Sequence, residues 1–325
     1  MKTLTSNVLR FLADGEFHSG EVLARALDVS RGSVWHAVRE LEAMELEVYK
    51  VHGRGYRLPQ PVSLLEPAEI GRHLGELAER FTLDVRAAVD STNTLLLERA
   101  AAAPGGTVIA AEWQAAGRGR FGRAWHAGVG GALTFSLLWR FAQGAGALSG
   151  LSLAVGVALA RALEAIGARG VALKWPNDVL WRSRKLAGIL TELQGDALGP
   201  TAAVIGIGLN IRLSAATRSR IGEAATDLET ACGAAPDRNR LLARLLNELN
   251  AVLEAFARRG FAPLRAEWQR YHAHQGRQVT LLLPGGASQR GRAHGVGEDG
   301  AFVLETRSGM KRYHSGEISL RPTER

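Results

Sequence analysis

The 325-residue sequence predicts an α+β protein in three parts. Three observations carry this. Three helical patterns closed by a hairpin pattern fill residues 1–58. Helices and strands interleave between 67 and 270, with strands in the majority and consecutive in the second half, which argues for a mixed or antiparallel sheet. From about 275 onward, short strands with glycine-rich turns describe a small β-barrel. The stretch "PQPVSLLEP", with three prolines in nine residues, reads as a linker. The boundaries fall at 1–62, 63–272 and 273–325.

In the first part, "SNVLRFLA" starts at a Ser cap and repeats apolar residues at helical spacing, and "SGEVLARAL" does the same. Ser30 is a good N-cap for a third helix, "RGSVWHAVRELEAM". Val34, Val38 and Leu41 recur at i, i+4, i+7 and face the core, which leaves Arg31, Trp35, His36 and Arg39 outward. "LEVYKVHGRGYRL" then makes two short strands around "HGRG". This is the pattern of a winged helix-turn-helix. Arg31, Ser33, His36 and Arg39 on the third helix, with Lys50, His52 and Arg54 on the wing, are the candidate DNA contacts. Against this, residues 1–60 hold eight Lys/Arg and eight Asp/Glu, and Glu40, Glu42, Glu45 and Glu47 crowd the helix end. Either these acids sit away from the DNA or the domain no longer represses.

The central part opens with a helix over "AEIGRHLGELAERF". "LDVRAAV", "TVIAAEWQ" and "ALTFSLLWRF" are strands and "GLSLAVGVALARALEAIG" a helix. "VALKW", "DVLWRS", "KLAGILTELQ" and "AAVIGIGLNI" are strands, with a hairpin between Lys174 and Lys185. "DRNRLLARLLNELNAVLEAFARRGF" is a long amphipathic helix. The longest apolar run, "LSLAVGVALARALEAIGA", is broken by Arg161 and Glu164 and reads as a buried helix rather than a membrane span. The N-terminus lacks the pattern of a signal peptide, and the one cysteine, Cys232, excludes an internal disulfide framework. A cytoplasmic location is expected. The net charge of +8 lies downstream of the first part and points to an anionic ligand without naming it.

Where that charge concentrates is "GRGRFGR", residues 117–123, spaced G-x-G-x-x-G. A dinucleotide-binding turn needs a helix after it; here the chain continues as "AWHAGVGGALTFSLLW", glycine-rich and then β. A kinase loop needs a downstream H-R-D or D-F-G, and neither occurs. What remains is a glycine loop carrying Arg118, Arg120 and Arg123, which taken alone reads equally as a solvated basic loop. "KWPNDVLWRSRKLAGIL" adds Lys174, Asn177 and Asp178 at one strand end and Lys185 at the return of the next. In "DSTNTLLLER", Ser91 and Thr92 are placed to cap a helix.

Taken in order, "DSTN" (90–93), "QAAGRGRFGRAW" (114–125), "KWPNDV" (174–179), "KLAGIL" (185–190) and "IGIGLNI" (205–211) resemble the biotin–protein ligase family. With the N-terminal winged helix and the tail "GEISLR", the resemblance spans essentially the whole chain and is to the bifunctional kind, both ligase and biotin operon repressor. It implies a class II synthetase-like core and an SH3-like C-terminal barrel. It implies two steps: biotin and ATP give biotinoyl-AMP and pyrophosphate, and the biotinoyl group passes to a lysine of the biotin carboxyl carrier protein of acetyl-CoA carboxylase. The residue types suit that chemistry. A carboxylate is already ionised at neutral pH, so the first step needs no base, and the charge that builds on phosphate calls for positioned cations and Mg²⁺.

Carried over by position, the resemblance implies that Ser91, Thr92, Asn93, Gln114, Gly117, Arg118, Gly119, Arg120, Lys185 and Gly188 meet biotin. Arg120, Arg123, Trp125, Lys174, Asn177, Asn210 and Arg321 meet the nucleotide. Arg118, Arg120, Asp178 and Lys185 are the catalytic set, with Asp178 facing Mg²⁺. The region after "GLNI", which covers adenine in this family, contains no aromatic residue here, so aliphatic side chains must cover the base. The family logic adds a homodimer, formed with adenylate bound, on operator DNA, and no membrane partner. The alternatives are a ligase with a vestigial DNA-binding domain and a non-catalytic biotin-sensing transcription factor. Lipoate ligases and octanoyl transferases share the core, but the transferases need a catalytic thiol or lysine, and Cys232 is far in sequence from the motifs.

Overall fold

The computed structural model describes all residues except 197, 223, 284–286, 315–318 and 323–325, and only the backbone at 319–322. Helices α1 (Thr3–Leu12), α2 (Gly20–Ala26) and α3 (Arg31–Ala43) precede a two-stranded wing, β1 (Tyr49–Val51) and β2 (Gly55–Arg57). Ser19 and Ser30 cap α2 and α3 by accepting from Val22 N and Ser33 N, the usual remedy for unpaired N–H groups at a helix start. Val8, Leu9, Leu12, Leu23, Val34, Val38, Leu41 and Leu58 form this domain's core. Arg31, Trp35, His36 and Arg39 point outward. Three of the four acids at the end of α3 are occupied, Glu47 being exposed. Glu40 accepts from Thr5 Oγ1 at 2.7 Å, Glu42 from Lys50 Nζ at 2.8 Å, and Glu45 pairs with Arg220 at 2.7 Å.

The central sheet has the order β3 (Thr82–Arg86), β4 (Thr107–Ala111), β5 (Ala132–Phe141), β9 (Thr201–Asn210), β8 (Arg184–Gly195), β7 (Asp178–Trp181), β6 (Val171–Lys174). Only β3 and β4 run parallel; every other pair is antiparallel. One face packs on α6 (Leu151–Ala165) and α9 (Arg238–Arg259) in the main core. The other face carries α5 (Thr92–Arg99), with Leu96 and Ala100 against Ile109, Leu138 and Val204. Alternation along β9 sorts its residues: Ala203, Ile205, Ile207 and Leu209 enter the main core, while Gly206 and Gly208 face the α5 side. The segment Ala145–Ala165 is the one described stretch long and apolar enough to cross a membrane, and most of α6 is buried in this core.

Ser6 does not cap α1 but lies inside it, the helix starting at Thr3 after Lys2. Three expectations for the central part also change. The continuous helix over 68–81 breaks at Gly75 (φ 60°), where a left-handed residue ends α4 (Pro67–Leu74) and a 3₁₀ turn continues to Arg80. The three strands expected around Lys174 and Lys185 are present, but they are joined by two hairpin turns rather than one. The second turn, Arg182–Ser183, has both φ values positive (48° and 64°), as a two-residue hairpin requires. Helices α7 (Ala215–Ile221), α8 (Leu228–Cys232) and α10 (Arg265–Tyr271) were not anticipated, because each is too short to show a periodicity.

The linker is not loose. Arg238, 1% exposed, donates to Ser63 O at 2.7 Å and Ala132 O at 3.1 Å and pairs with Glu112. Glu112 also accepts from Leu65 N at 2.6 Å. Beyond α10, β10 (Gln278–Leu282), β11 (Ser288–Val296), β12 (Phe302–Thr306), β13 (Gly309–Tyr313) and β14 (Ser319–Pro322) form an antiparallel sheet of order β13-β12-β11-β10-β14. Among the described residues no hydrogen-bonded pair closes β13 on β14, so the expected small barrel is seen as a five-stranded sheet.

Candidate functional site

On the α5 side of the sheet lies a cavity of about 140 Å³. Its floor exists because β9 carries glycine at 206 and 208. A Cβ at Gly206 would stand 2.2 Å from Asn93 Oδ1, and one at Gly208 would stand 2.4 Å from the Trp125 ring. One end is neutral and polar. Ser91 caps α5, Thr92 N donates to Gln114 Oε1 at 2.8 Å, and Ser136 Oγ donates to Thr92 Oγ1 at 2.8 Å. Asn93 lies beneath, its amide donating to Leu190 O at 3.2 Å and Glu192 Oε2 at 2.8 Å.

The other end is cationic. Lys185 Nζ stands 2.6 Å from Asp178 Oδ1, and Lys174 Nζ 3.9 Å from Asp178 Oδ2. Arg120 donates to Asn177 Oδ1 at 3.3 Å, and Asn177 in turn donates to Ile189 O at 2.9 Å. Burial lowers the Arg120 guanidinium from its ordinary value; Asp178 opposes this and Arg123 adds to it. It remains a cation. Asp178 is the one acid among the residues lining the cavity.

The arginine loop is a pinned arch. Trp125 N donates to Gly117 O at 2.8 Å, Gly119 N donates to Arg123 O at 2.7 Å, and Arg118 pairs with Glu192. A Cβ at Gly117 would meet Trp125 O at 2.5 Å, so the arch closes only on glycine. Gly119 lines the cavity, as do Arg123 and Gly188; Phe121 (φ 56°) is exposed at the tip.

A second cavity of about 170 Å³ shares Ala124, Trp125 and Lys185 with the first and is closed by Asn210, Ile221, Ala224 and Ala225. Lys185 holds that wall by its backbone: its N–H donates to Ala224 O at 2.7 Å and its carbonyl accepts from Thr226 N at 2.9 Å. Asn210 donates to Thr226 O at 2.9 Å. Helix α7, which ends at Ile221, is tied to the winged domain through Thr217 Oγ1, which donates to Glu45 Oε2 at 2.9 Å.

Thus all the central residues singled out in the sequence, except Asn210 and Gly117, line the first cavity; Asn210 lines the second and Gly117 shapes the arch. Arg321 lies on β14 opposite Thr280, and its side chain is outside the described residues. Gly206, Gly208, Ser136, Glu192, Ile221 and Ala224 were missed. The glycine alternation in "IGIGLN" was the one available signal for the first two.

Comparison with known proteins gives the family. Residues 85–210 match the biotin/lipoate A/B protein ligase family, 5–57 an HTH domain, and 274–321 the biotin protein ligase C-terminal domain. The chain is 39% identical over 323 residues, 99% of each chain, to the bifunctional ligase/repressor BirA of Escherichia coli. It is 38% identical to the biotin–[acetyl-CoA-carboxylase] ligase of Mycobacterium tuberculosis, covering 69% of this chain and 83% of that one. The biotin protein ligase of Aquifex aeolicus, solved with biotin and ATP, superposes with a TM-score of 0.64 at 31% identity, over 74% of this chain and 99% of that one. The fold is that of a protein ligase that carries an N-terminal helix-turn-helix. The chain belongs to the biotin/lipoate A/B protein ligase family.

Proposed function

We propose that the chain activates biotin with ATP to biotinoyl-AMP and pyrophosphate. It then passes the biotinoyl group to one lysine of a biotin carboxyl carrier domain, releasing AMP. The observation that carries this is the pair of cavities divided by Trp125 and joined at Lys185. The polar end at Ser91, Thr92 and Gln114 suits the donors and acceptors of a ureido ring. The second cavity, walled by Trp125 and His126 as well as by Ile221, Ala224 and Ala225, suits a flat purine ring. Lys185, shared by both cavities, and Arg120, in the first, are the cations assigned to the biotin carboxylate and the α-phosphate, where they would stabilise the charge that develops.

Magnesium enters with ATP. No cage of three or more His, Cys, Asp or Glu exists among the described residues. A single carboxylate, Asp178, with the nucleotide's own phosphates, is a donor set that suits this ion. In the second step the amine of the acceptor lysine attacks the mixed anhydride and AMP leaves with its bonding electrons. Cys232 is a poor alternative nucleophile: it packs against the main core, and burial pushes its thiol up.

The same reading makes the winged domain an operator-binding repressor. It acts as a homodimer with adenylate bound, in the cytoplasm where ATP and the carrier are found. The pairing of Glu40, Glu42 and Glu45 within the protein and an outward α3 face favour this over a vestigial domain. The test is to mix the chain with ATP, Mg²⁺ and separately biotin, lipoate or octanoate, and to look for acyl-AMP by mass spectrometry. Biotinoyl-AMP alone is expected; adenylate from another acid, or none, overturns the ligase reading.

A further inference from the structure

The wing of the N-terminal domain carries a stacked cluster that the sequence did not reveal. Arg54 lies 4.1 Å and Arg57 4.8 Å from the centre of the Phe17 ring, and Arg57 also lies 5.5 Å from the Tyr49 ring. Tyr49 and Arg57 are cross-strand partners in the β1–β2 pair, which sets the second contact. The first is set by a close approach. His18 and Tyr56 exchange two backbone hydrogen bonds of 2.9 Å, and a Cβ at Gly55 (φ 102°) would stand 2.1 Å from His18 O. Only glycine lets the wing lie against the segment that carries Phe17.

The charges of this neutral domain are sorted. Arg10, Arg25, Arg39 and Lys50 are each paired with a glutamate. Among the described residues neither Arg54 nor Arg57 has a carboxylate partner, and Arg57 Nε is buried without any acceptor. A guanidinium held over an aromatic ring can still offer its outer NH₂ groups to an oxyanion, and ordering it beforehand reduces the entropy lost on binding. Arg54 at the wing is exposed, as are Arg31 and His36 on α3, the element that a winged helix lays in the major groove.

We propose that Phe17, Arg54 and Arg57 form a preorganised phosphate clamp for the backbone of duplex DNA, a site that rests on the repressor reading above. Arg54 and Arg57 supply the charge and the donors. Phe17 contributes no charge and fixes both guanidinium planes.

The test uses the full chain with biotin, ATP and Mg²⁺ and a labelled duplex enriched from a randomised pool by the wild-type protein. Binding is followed by fluorescence anisotropy across a salt series, and melting curves check that each variant is folded. Arg54→Ala and Arg57→Ala are each expected to flatten the slope of log K against log salt by about 1, the signature of one lost phosphate contact. Phe17→Leu is expected to weaken binding several-fold at unchanged slope, with Phe17→Tyr restoring it. Arg10→Ala, at an α1 arginine paired with Glu66, leaves the slope unchanged. Wild-type slopes in both wing arginine variants overturn the clamp alone. Failure of the wild-type protein to enrich any duplex overturns the repressor reading and the clamp with it. Tighter binding to RNA than to duplex DNA overturns the choice of partner.

Discussion

Lys185 Nζ stands 2.6 Å from Asp178 Oδ1 because of a β-bulge between β7 and β8. Asp178 pairs with Gly188 and Val179 with Ala187, but Leu180 pairs with Lys185, so Leu186 is the extra residue. The bulge shifts the side-chain phase by one and puts Lys185 on the face of Asp178 and Gly188. Lys185→Ala is therefore expected to slow biotin-dependent ATP–pyrophosphate exchange by about 10²–10³, the usual cost of one well-placed donor. Exchange within a few-fold of wild type would remove Lys185 from the catalytic set.

Arg120 reaches the cavity from a loop and donates to Asn177. Arg120→Gly is expected to let activated biotin escape, because a hydrogen bond to a charged group contributes about 1.5–3 kcal/mol, or roughly 10–100-fold in dissociation. The measurement is the off-rate of biotinoyl-AMP, with diffuse labelling of bystander lysines as its consequence. Unchanged retention of the adenylate refutes the role.

Gly208 leaves no room for a methyl group under Trp125. Gly208→Ala is expected to cost about 1–3 kcal/mol of stability by overpacking and to abolish tight biotin binding. Adding Trp125→Ala should recover the melting temperature without recovering binding, because the dividing wall between the two cavities is then gone. Recovery of both would mean that Trp125 only fills space.

His274 is buried beside His272, Lys174 and Arg277, and burial, with these cations, pushes its pKa down from 6.5 to about 4. Between those values the unfolded chain binds the proton and the folded chain does not. Stability contributed by neutral His274 is therefore complete above pH 6.5 and is lost as pH falls, by about 2 kcal/mol at pH 5. Melting curves at pH 7.5 and 5 should show a smaller acid loss for His274→Phe. The slope that remains belongs to other groups, including His272, whose pKa burial also lowers. Identical pH dependence in the two proteins would show that His274 gains solvent access in solution.

Much of this architecture was legible locally. The Ser30 cap and the spacing of Val34, Val38 and Leu41 define α3, and the structure buries all three. The alternation in "IGIGLN" is period 2 written in isoleucine and glycine: one face fills the core and the other clears a floor. The ordered motifs also brought together, in the linear chain, the residues that line the first cavity.

What the sequence determined by itself is therefore most of the longer elements, the family, and which residue types gather around an anion, since capping, periodicity and charge are read over a few neighbours. The tertiary structure decided the rest. It set the face that Lys185 occupies, which a single bulge reverses. It made a wall of Ala224 and Ala225, held by the backbone of Lys185, some forty residues away in the chain. It folded the Phe17 ring against Arg54 and Arg57 through a contact that only Gly55 permits. Each of these rests on a register or a close approach between distant segments, and short-range patterns carry no information about either.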